Sequence, residues 1–527
     1  MKFDIIAVFN RSITIELIND KRYNLDNPYS VYLDGKIVKT SKLNVTTING
    51  LHPDQKYEIA VEYDGVIEKV EFTTLKETYL LDVRDNGAVG DGKTNDTHAI
   101  QAAISICPEG GTVHFTKGVY YTGPLFLKSN ITLWLDKDAV LLGDTDRANY
   151  PILPGMVKNE DDYSKELSMA SWEGNPLNSF ASLITGVGVS NVDIIGEGLL
   201  DGNAQNSDWW VDVRTKRKAW RPKIIFLNNC KNVRVQQISV QNSPCWTIHP
   251  YYSDNISFLD MDIYNPDNSP NTDGFDPESC SNIKIIGTRI SVGDDCIAIK
   301  SGKIYMGTKH YKKTDNIVIR NCRLARGHGA VTVGSEVAGG ASDVHVERCL
   351  FTGTDRGLRV KTRRGRGVRS IIDDIHIENI FMDTVKMPFT VNMFYFCDPD
   401  GHTQYVQDQE EMPVDSRTPK VGSLYVKDVE CTGINAVLGC AYALPEMPID
   451  LIHLENINAV FLPENERNGE CPIMMDNFQT MNGKSLYIRN VKKLEIKNVT
   501  IKGCEDKMPD LINIGERQIE GLNYAEI

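Results

Sequence analysis

The chain has 527 residues and a formal net charge of −14. This length exceeds what one hydrophobic core usually supports, so it predicts two domains or one elongated repeat. The negative charge argues against nucleic acid as a partner, and no apolar run is long enough to cross a membrane as a helix. The twelve cysteines are scattered and include no C-x-x-C pair, which favours reduced core residues over a disulfide scaffold.

The N-terminal residues 1–10 lack the features of a signal peptide. Their apolar stretch is short, is interrupted by Asp4 and is followed by no small-residue cleavage site. We therefore expect a cytoplasmic protein, provided that the natural chain begins here.

Residues 1–78 have the alternation and turn signals of short strands. The run from Leu51 through Pro53 to Tyr57, placed before a late strand, resembles the tyrosine corner of fibronectin type III and immunoglobulin-like sandwiches. This segment is expected to be a small fibronectin type III-like β-sandwich. A structural role is favoured over carbohydrate binding, because no aromatic platform is evident in it.

The pattern changes from residue 79 onward. A glycine-rich turn at 86–92 precedes helical spacing at 94–104, with Asn95 or Thr97 as the expected N-cap. After this helix, a unit of polar turn and short β-branched strand recurs at intervals of roughly 23 to 41 residues. Stacked coils would bury the inward side of each strand. Residues 79–527 are therefore predicted to form a right-handed parallel β-helix whose first end is covered by the helix; a β-propeller is the alternative, although its blades need more regular spacing.

Four short polar clusters follow one another in the repeat region. They are Asn271-Thr272-Asp273, Gly293-Asp294-Asp295, Gly327-His328-Gly329 and Arg359-Val360-Lys361. Equivalent positions on neighbouring coils stack about 4.8 Å apart, so the clusters are expected to form one patch. Each cluster alone is typical of a turn, a loop or an exposed strand pair, and the ordered combination carries the prediction.

The chemistry of these clusters suits cleavage of a glycosidic bond. One carboxyl must give a proton to the leaving oxygen while a second attacks the sugar or activates water. Crowding three carboxylates raises the pKa of at least one of them. Arg359 and Lys361 lie on one side of a strand and together suit a sugar carboxylate. The basic stretch from Arg359 to Arg369 contains no acid, which favours an anion site over a solvated loop.

From about residue 79 to its end, the chain resembles glycoside hydrolase family 28, the polygalacturonases, on these four motifs and on the turn at 86–92. The resemblance implies hydrolysis with inversion. It assigns the general acid to Asp294, water activation to Asp273 and Asp295, maintenance of the acid's protonation to His328, and galacturonate binding to Arg359 and Lys361. Gly327 replaces a common serine and Val360 a common isoleucine, and neither change removes a chemical group.

The resemblance is greatest to exo-acting members, in the segments 242–250 and 327–336. It predicts release of galacturonate, or of a short unit, from the end of an oligomer, with no cofactor and no metal. The predicted substrate-binding set also contains Asn271, His249, Tyr395 and Lys300, and for His249 a hydrogen-bonded core histidine is an equal alternative. Insertions at 146–178 and 397–420 are expected to close one end of the cleft, unless they are ordinary surface loops.

Three other functions fit the same residues. A pectate lyase would use calcium and an arginine base for elimination. A non-catalytic carbohydrate-binding protein would use the carboxylates only as turn residues. A hydrolase of rhamnogalacturonan or xylogalacturonan would keep the mechanism and change the substrate, although Arg359 and Lys361 favour a bound uronate. Oligomeric state, preferred substrate length and the chain end attacked do not follow from the sequence.

Overall fold

The computed structural model describes residues 1–162 and 165–526, and strands dominate it. Two small antiparallel sheets come first. The three-stranded sheet contains Phe3–Val8, Ser12–Leu17 and Val45–Asn49, and the four-stranded sheet contains Asn24–Leu33, Lys36–Leu43, Lys56–Tyr63 and Val66–Thr73. The Tyr57 hydroxyl accepts a hydrogen bond of 2.9 Å from the backbone N–H of His52, which is the contact of a tyrosine corner. The fibronectin type III assignment and the boundary at residue 78 stay predictions.

The N-terminal sheets rest on the side of the second, larger region. Phe9 and Val45 pack against Ile195, Leu259 and Ile286 of that region in one buried apolar cluster. Beside this cluster, the buried Glu16 carboxylate accepts hydrogen bonds from three β-helix side chains. These donors are Arg320 at 2.7 Å, Asn321 at 2.7 Å and Arg348 at 3.0 Å. Such contacts support the predicted structural role of residues 1–78.

The rest of the chain is the predicted right-handed parallel β-helix, with three strand faces per coil. The first face contains Gly111–Phe115, Ile131–Leu135, Ser190–Gly196, Lys231–Gln236, Asp254–Leu259, Ser281–Ile286, Thr314–Arg320 and Ala341–Glu347. The second contains Gly118–Thr122, Ala139–Gly143, Leu199–Asp201, Ser239–Gln241, Asp262–Tyr264, Arg289–Ser291, Arg323–Ala325 and Leu350–Thr352. The third contains Leu125–Phe126, Ile184–Val187, Ile225–Asn228, Ile248–Tyr251, Ile297–Ile299, Val331–Val333, Arg356–Lys361, Met387–Asn392 and Val437–Tyr442.

The last coils join the first and second faces into long continuous strands. These are Ile371–Asp383, Ser423–Ile434, Ile449–Phe461, Lys484–Lys502 and Asp510–Ala525. The remaining short strands are Leu80–Asp82, Asp91–Asn95, Ile152–Leu153, Met156–Lys158, Glu166–Ser168, Ser179–Phe180 and Lys420–Val421. The helices are Thr97–Ile106, Ile304–Lys309 and Gln404–Gln407, with 3-10 turns at Val83–Asn86, Arg147–Asn149, Ala204–Asn206 and Glu464–Glu466. Within the described residues, none of these helices is long and apolar enough to cross a membrane.

The recurrent asparagines and aspartates have a conformational cause. Asn191, Asn232 and Asn255, near the start of first-face strands, all have φ of 55°. This left-handed conformation is unfavourable for most side chains but is tolerated by asparagine and aspartate. The Asn232 amide donates to the Asn191 side-chain oxygen at 2.9 Å, and Asn255 donates to Asn232 at 2.7 Å. Each repeat therefore turns the chain and hydrogen-bonds to the coil before it.

The core is a column of inward residues in strict register. Val192, Val233 and Ile256 pair on successive coils and are fully buried. The helix Thr97–Ile106 packs Ile100 and Ile104 into the first end of this column, where they shield it from water. Its N-cap is Asp96, so the predicted caps, Asn95 and Thr97, are each wrong by one residue.

Candidate active site

The third face carries the four predicted clusters on consecutive coils. Ile248, Phe275, Ile297, Val331 and Leu358 follow one another in register and point inward. The residues two positions earlier lie at or just before the start of each strand, where the chain turns into it, and the same register stacks them on consecutive coils. On these coils they are Trp246, Asp273, Asp295, Gly329 and Arg356. The helical repeat thus stacks Asp273 directly beside Asp295, although 22 residues of chain separate their positions in the sequence.

The structure brings the three carboxylates together, as the sequence predicted. One oxygen each of Asp273, Asp294 and Asp295 lies within 4.8 Å of the other two. A single water molecule fits between oxygens at this spacing. The glycine of the third cluster keeps the space clear, since a Cβ on Gly329 would come within 2.8 Å of the Asp295 carboxylate.

Asp295 is held as a carboxylate by the basic pair. Arg359 donates to one of its oxygens at 3.0 Å and Lys361 to the other at 2.8 Å. Burial opposes ionisation of this group, but Lys361 and Arg359 outweigh burial and hold the pKa of Asp295 well below its ordinary value. Both cations keep only 7% of their surface exposed. They were predicted to bind a sugar carboxylate, and in this structure their first partner is Asp295.

Asp273 lies in the opposite electrostatic situation. Burial raises its pKa well above the ordinary value, and the neighbouring carboxylates Asp276 and Asp294 raise it further. The Lys300 ammonium, 4.0 Å from Asp273, works against this rise. The sequence predicted that crowding would raise the pKa of at least one acid, and Asp273, which the family resemblance treats as a base, shows such a rise, as does the neighbouring Asp276.

Asp294 and His328 form the accessible edge of the site. Their side chains are 24% and 53% exposed, and the histidine Nδ1 lies 3.5 Å from the carboxylate. This contact with Asp294 raises the pKa of His328, against the effect of partial burial. This contact places the imidazole within reach of the Asp294 carboxyl group, which fits the predicted role of His328 in controlling the proton of that acid.

Three other predicted residues lie in or beside the same cleft. Lys300 is buried between Asp273, Asp276 and Glu336, and its ammonium sits 4.3 Å from the centre of the Trp246 ring. Tyr395 is nearly buried against the Lys361 ammonium, 5.4 Å from its ring centre. Asn271 is half-buried at the rim, where its side-chain oxygen accepts a 2.6 Å hydrogen bond from Arg221.

His249 does not face the cleft. Its ring has no exposed surface, and Nε2 lies 2.9 Å from the equally buried Glu278 carboxylate. Burial keeps the pKa of His249 well below its ordinary value and raises that of Glu278 to about 7. The prediction of a sugar contact is therefore corrected, and the alternative of a hydrogen-bonded core histidine describes this residue. The reason is the segment around Ser171, whose hydroxyl donates to Glu278 and covers this coil.

The basic stretch after Lys361 is mostly occupied inside the protein. Arg363 and Arg366 both pair with Asp398, at 2.9 Å and 2.7 Å. The buried Arg364 pairs with Glu446 at 2.7 Å. Only the first part of the stretch, Arg359 and Lys361, belongs to the anion site that the sequence analysis favoured.

The two predicted insertions meet across the cleft through one lysine. Lys303 lies 3.8 Å from Glu173 of the first insertion and 2.9 Å from Asp398 of the second. Earlier in the first insertion, Ser168 hydrogen-bonds to the Tyr251 hydroxyl at 2.8 Å, which covers the third face at this coil. Residues 163 and 164 of the first insertion lie outside the described residues.

Sequence reasoning missed Asp276, Glu336 and Lys303. Asp276 is fully buried, and neither of its oxygens has a hydrogen-bond partner within the described residues. Its signal was present, because it follows Asp273 by three residues on the same strand segment. Glu336 and Lys303 gave no local signal, since their importance depends on which distant loops they meet.

The same carboxylates also suit a divalent cation, because three oxygens converge. Asp295 already engages both oxygens with Arg359 and Lys361, which leaves fewer free ligands. The arrangement fits acid–base chemistry on a glycosidic bond more closely. Fold and site together define a glycoside hydrolase built on a parallel β-helix.

Comparison with known proteins agrees with this class. The profile described as "Glycosyl hydrolases family 28" matches residues 164–410, and one described as "Rhamnogalacturonase A/epimerase, pectate lyase-like" matches residues 80–153. A probable polygalacturonase of Vitis vinifera is 34% identical over 346 residues, which are 64% of this chain and 68% of the relative. An endo-polygalacturonase of Pectobacterium carotovorum subsp. carotovorum is 30% identical over 57% of this chain and 72% of its own length. The chain belongs to glycoside hydrolase family 28.

A solved structure supports the fold over the whole chain. The family 28 exopolygalacturonase of Yersinia enterocolitica superposes with a TM-score of 0.61 at 18% identity. The superposition covers 100% of this chain and 98% of the other. It therefore includes the N-terminal sheets as well as the β-helix.

Proposed function

We propose that this hydrolase is an exo-polygalacturonase that removes galacturonate from the end of an α-1,4-linked oligogalacturonide. The closed edge of the cleft carries this proposal. Where the third-face strands end, Lys303 bridges Glu173 and Asp398 from the two insertions, and in this proposal the bridge closes the cleft to a longer chain. At the opposite edge, where these strands begin, His328 is exposed and Asp294 is partly exposed. A cleft that is open at one edge only admits a chain terminus.

The proposed mechanism uses the two edges differently. The terminal galacturonate lies toward the closed edge, where Arg359 and Lys361 supply positive charge. Asp294 gives its proton to the glycosidic oxygen, and the leaving chain departs through the open edge. A water molecule between Asp273 and Asp295 attacks the anomeric carbon and loses its proton to the ionised Asp295. The Asp273 carboxyl group orients this water molecule. Once Asp273 has itself ionised, it also supports deprotonation of the water.

The stereochemical course is an independent part of the proposal. Most inverting glycosidases place their two carboxyl groups about 6.5–9.5 Å apart, and here the closest oxygens are within 4.8 Å. We still propose inversion, because Arg359 and Lys361 hold both oxygens of Asp295 in place, where the carboxylate contacts the water molecule instead of attacking the sugar itself. Proton NMR of the first product settles this, since an α-linked substrate gives the β-anomer on inversion and the α-anomer on retention.

The mode of attack is tested by opening the closed edge. In Lys303→Ala the bridge between the insertions is lost, so internal cleavage should increase. Viscosity of a polygalacturonate solution should then fall more for each bond cut, and longer products should replace monomer. Lys309→Ala, on the exposed side of the helix Ile304–Lys309, removes the same charge and is the matched control. Random internal cleavage by the unchanged enzyme would refute the exo proposal.

The other candidate functions give different products. Elimination by a lyase yields an unsaturated product that absorbs ultraviolet light. This reaction stops when EDTA removes calcium. A hydrolase of rhamnogalacturonan or xylogalacturonan should release sugars from those polymers faster than from homogalacturonan. The cytoplasmic location also stays a proposal, which fractionation of the source cells would test.

A further inference from the structure

An open groove of about 650 Å³ ends at Pro270, the residue directly before the Asn271-Thr272-Asp273 motif. Its lining includes Trp210 and Arg214 from one loop and Asn268 and Pro270 from another. Trp210 is half-buried, and its indole N–H donates to the Ser243 carbonyl at 3.0 Å, which fixes the ring in place. Grooves of a few hundred Å³ with an aromatic wall are typical of small-ligand sites.

The loop that carries Trp210 is unusually basic for this protein. Arg214, Lys216 and Lys218 are exposed and form no ion pair within residues 1–162 and 165–526. Arg217, between them, is already paired with Asp208 at 2.7 Å and Asp212 at 3.2 Å. On a chain with a net charge of −14, three unpaired cations in five residues attract an anion to this place.

The groove is connected to the proposed general acid. Ser269, between two groove residues, packs on Gly293, where a Cβ would come within 2.6 Å of the Ser269 carbonyl oxygen. Gly293 immediately precedes Asp294. On the other side, Arg221 donates to the Pro270 carbonyl at 3.0 Å and to Asn271 at 2.6 Å. The groove wall and the catalytic edge therefore hold each other in position.

We propose that this groove is a subsite for a galacturonate residue on the leaving-group side of the cleavage point. Arg214 pairs with the carboxylate of that residue, and the exposed part of the Trp210 ring contacts the sugar face. The leaving chain lies on this side because the proton donor Asp294 does. The inference rests on the proposed function, since it takes a uronate chain as the substrate.

The test compares two loop cations on substrates of two lengths. Arg214→Gln removes the groove cation, while Lys216→Gln removes the same charge two residues away, from a side chain outside the groove lining. For hexagalacturonate, Arg214→Gln should lower kcat/KM about fivefold, the effect of an exposed ion pair. Digalacturonate, which occupies only the two positions around the cleaved bond, should be turned over at an unchanged rate. Lys216→Gln should match the unchanged enzyme on both substrates.

Binding separates this inference from the proposed reaction. In the Asp294→Asn background, hexagalacturonate affinity is measured by calorimetry with and without Arg214→Gln. A fivefold weakening there supports the subsite even if the wild-type enzyme proves to cleave a different uronate polymer. Equal effects of the Arg214 and Lys216 substitutions would mean that the loop acts only through its overall positive charge, and this result would also overturn the subsite. No effect of Arg214→Gln at either length would overturn the proposal outright.

Discussion

The two edges of the third face are built from the same sheet but differ in what covers them. Where the strands end, Lys300, Lys303 and Asp398 have side chains at most 15% exposed and are held in ion pairs between loops. Where the strands begin, the side chain of Asp294 is 24% exposed and that of His328 is 53% exposed. The β-helix supplies the same outward positions at both edges, so the loops decide which positions become structural and which remain reactive.

His249 and Arg359 show this difference at equivalent positions on different coils. Both occupy the same outward position on their third-face strands. His249 pairs with Phe226 of the coil before it, Arg359 pairs with Thr332 of the coil before it, and the register of the coils between them is continuous. Ser171 and its neighbours cover the first of these positions, which turns a polar side chain into a buried support. The second stays at the cleft. Sequence position in the repeat therefore does not distinguish a supporting residue from a substrate-binding one.

The largest expected effect comes from the open edge. Asp294→Asn should lower kcat by about 10²- to 10⁴-fold, since a general acid contributes that much, while oligogalacturonide binding is retained. Stopped assays on defined oligomers give kcat, and calorimetry gives the affinity. Asp343→Asn, on the first face, is the control, because asparagine tolerates its φ of 56°. Unchanged turnover in Asp294→Asn would exclude a catalytic role for this carboxylate.

The next effect concerns the pH dependence of the ionised carboxylate. Lys361 lowers the pKa of Asp295 and keeps this buried group charged. In Lys361→Met the pKa of Asp295 should rise, so activity should be lost first at low pH and the acid limb of the kcat/KM profile should move upward. Lys300→Met should move the acid limb in the same direction through Asp273, whose pKa that lysine lowers. A parallel loss at every pH would instead show that Lys361 only binds substrate.

The repeat and the four motifs were predictable because they are local. Asparagine or aspartate near the start of first-face strands suits the positive φ there, and the motif residues fall at fixed positions of successive coils. The order of the motifs along the chain therefore predicted that Asp273 and Asp295 would meet. No local pattern predicted that Lys303 would meet Glu173 and Asp398, because those three residues come from separate loops. The burial of His249 escaped prediction for the same reason.

A smaller effect, on stability and not on catalysis, is expected at the closed edge. His249→Phe keeps an aromatic ring but removes the group that hydrogen-bonds to Glu278. The free energy of unfolding should fall by about 1–3 kcal/mol, the cost of leaving a buried polar group unsatisfied. Urea unfolding measures this loss, and His249→Gln, which retains a donor, should lose less. If KM for oligogalacturonides rose while stability stayed unchanged, His249 would belong to the substrate surface after all.

The smallest expected effect isolates the loop that closes this edge. Ser171→Ala removes one hydrogen bond of 3.1 Å to the buried Glu278 carboxylate. The carboxylate keeps its contact with His249, so the loss of stability should be about 1 kcal/mol. Product analysis should still give the pattern of the unchanged enzyme, because the bridge at Lys303 remains intact. A shift toward longer products in Ser171→Ala would mean that the closed edge depends on the whole loop being anchored, and that Lys303 alone does not close it.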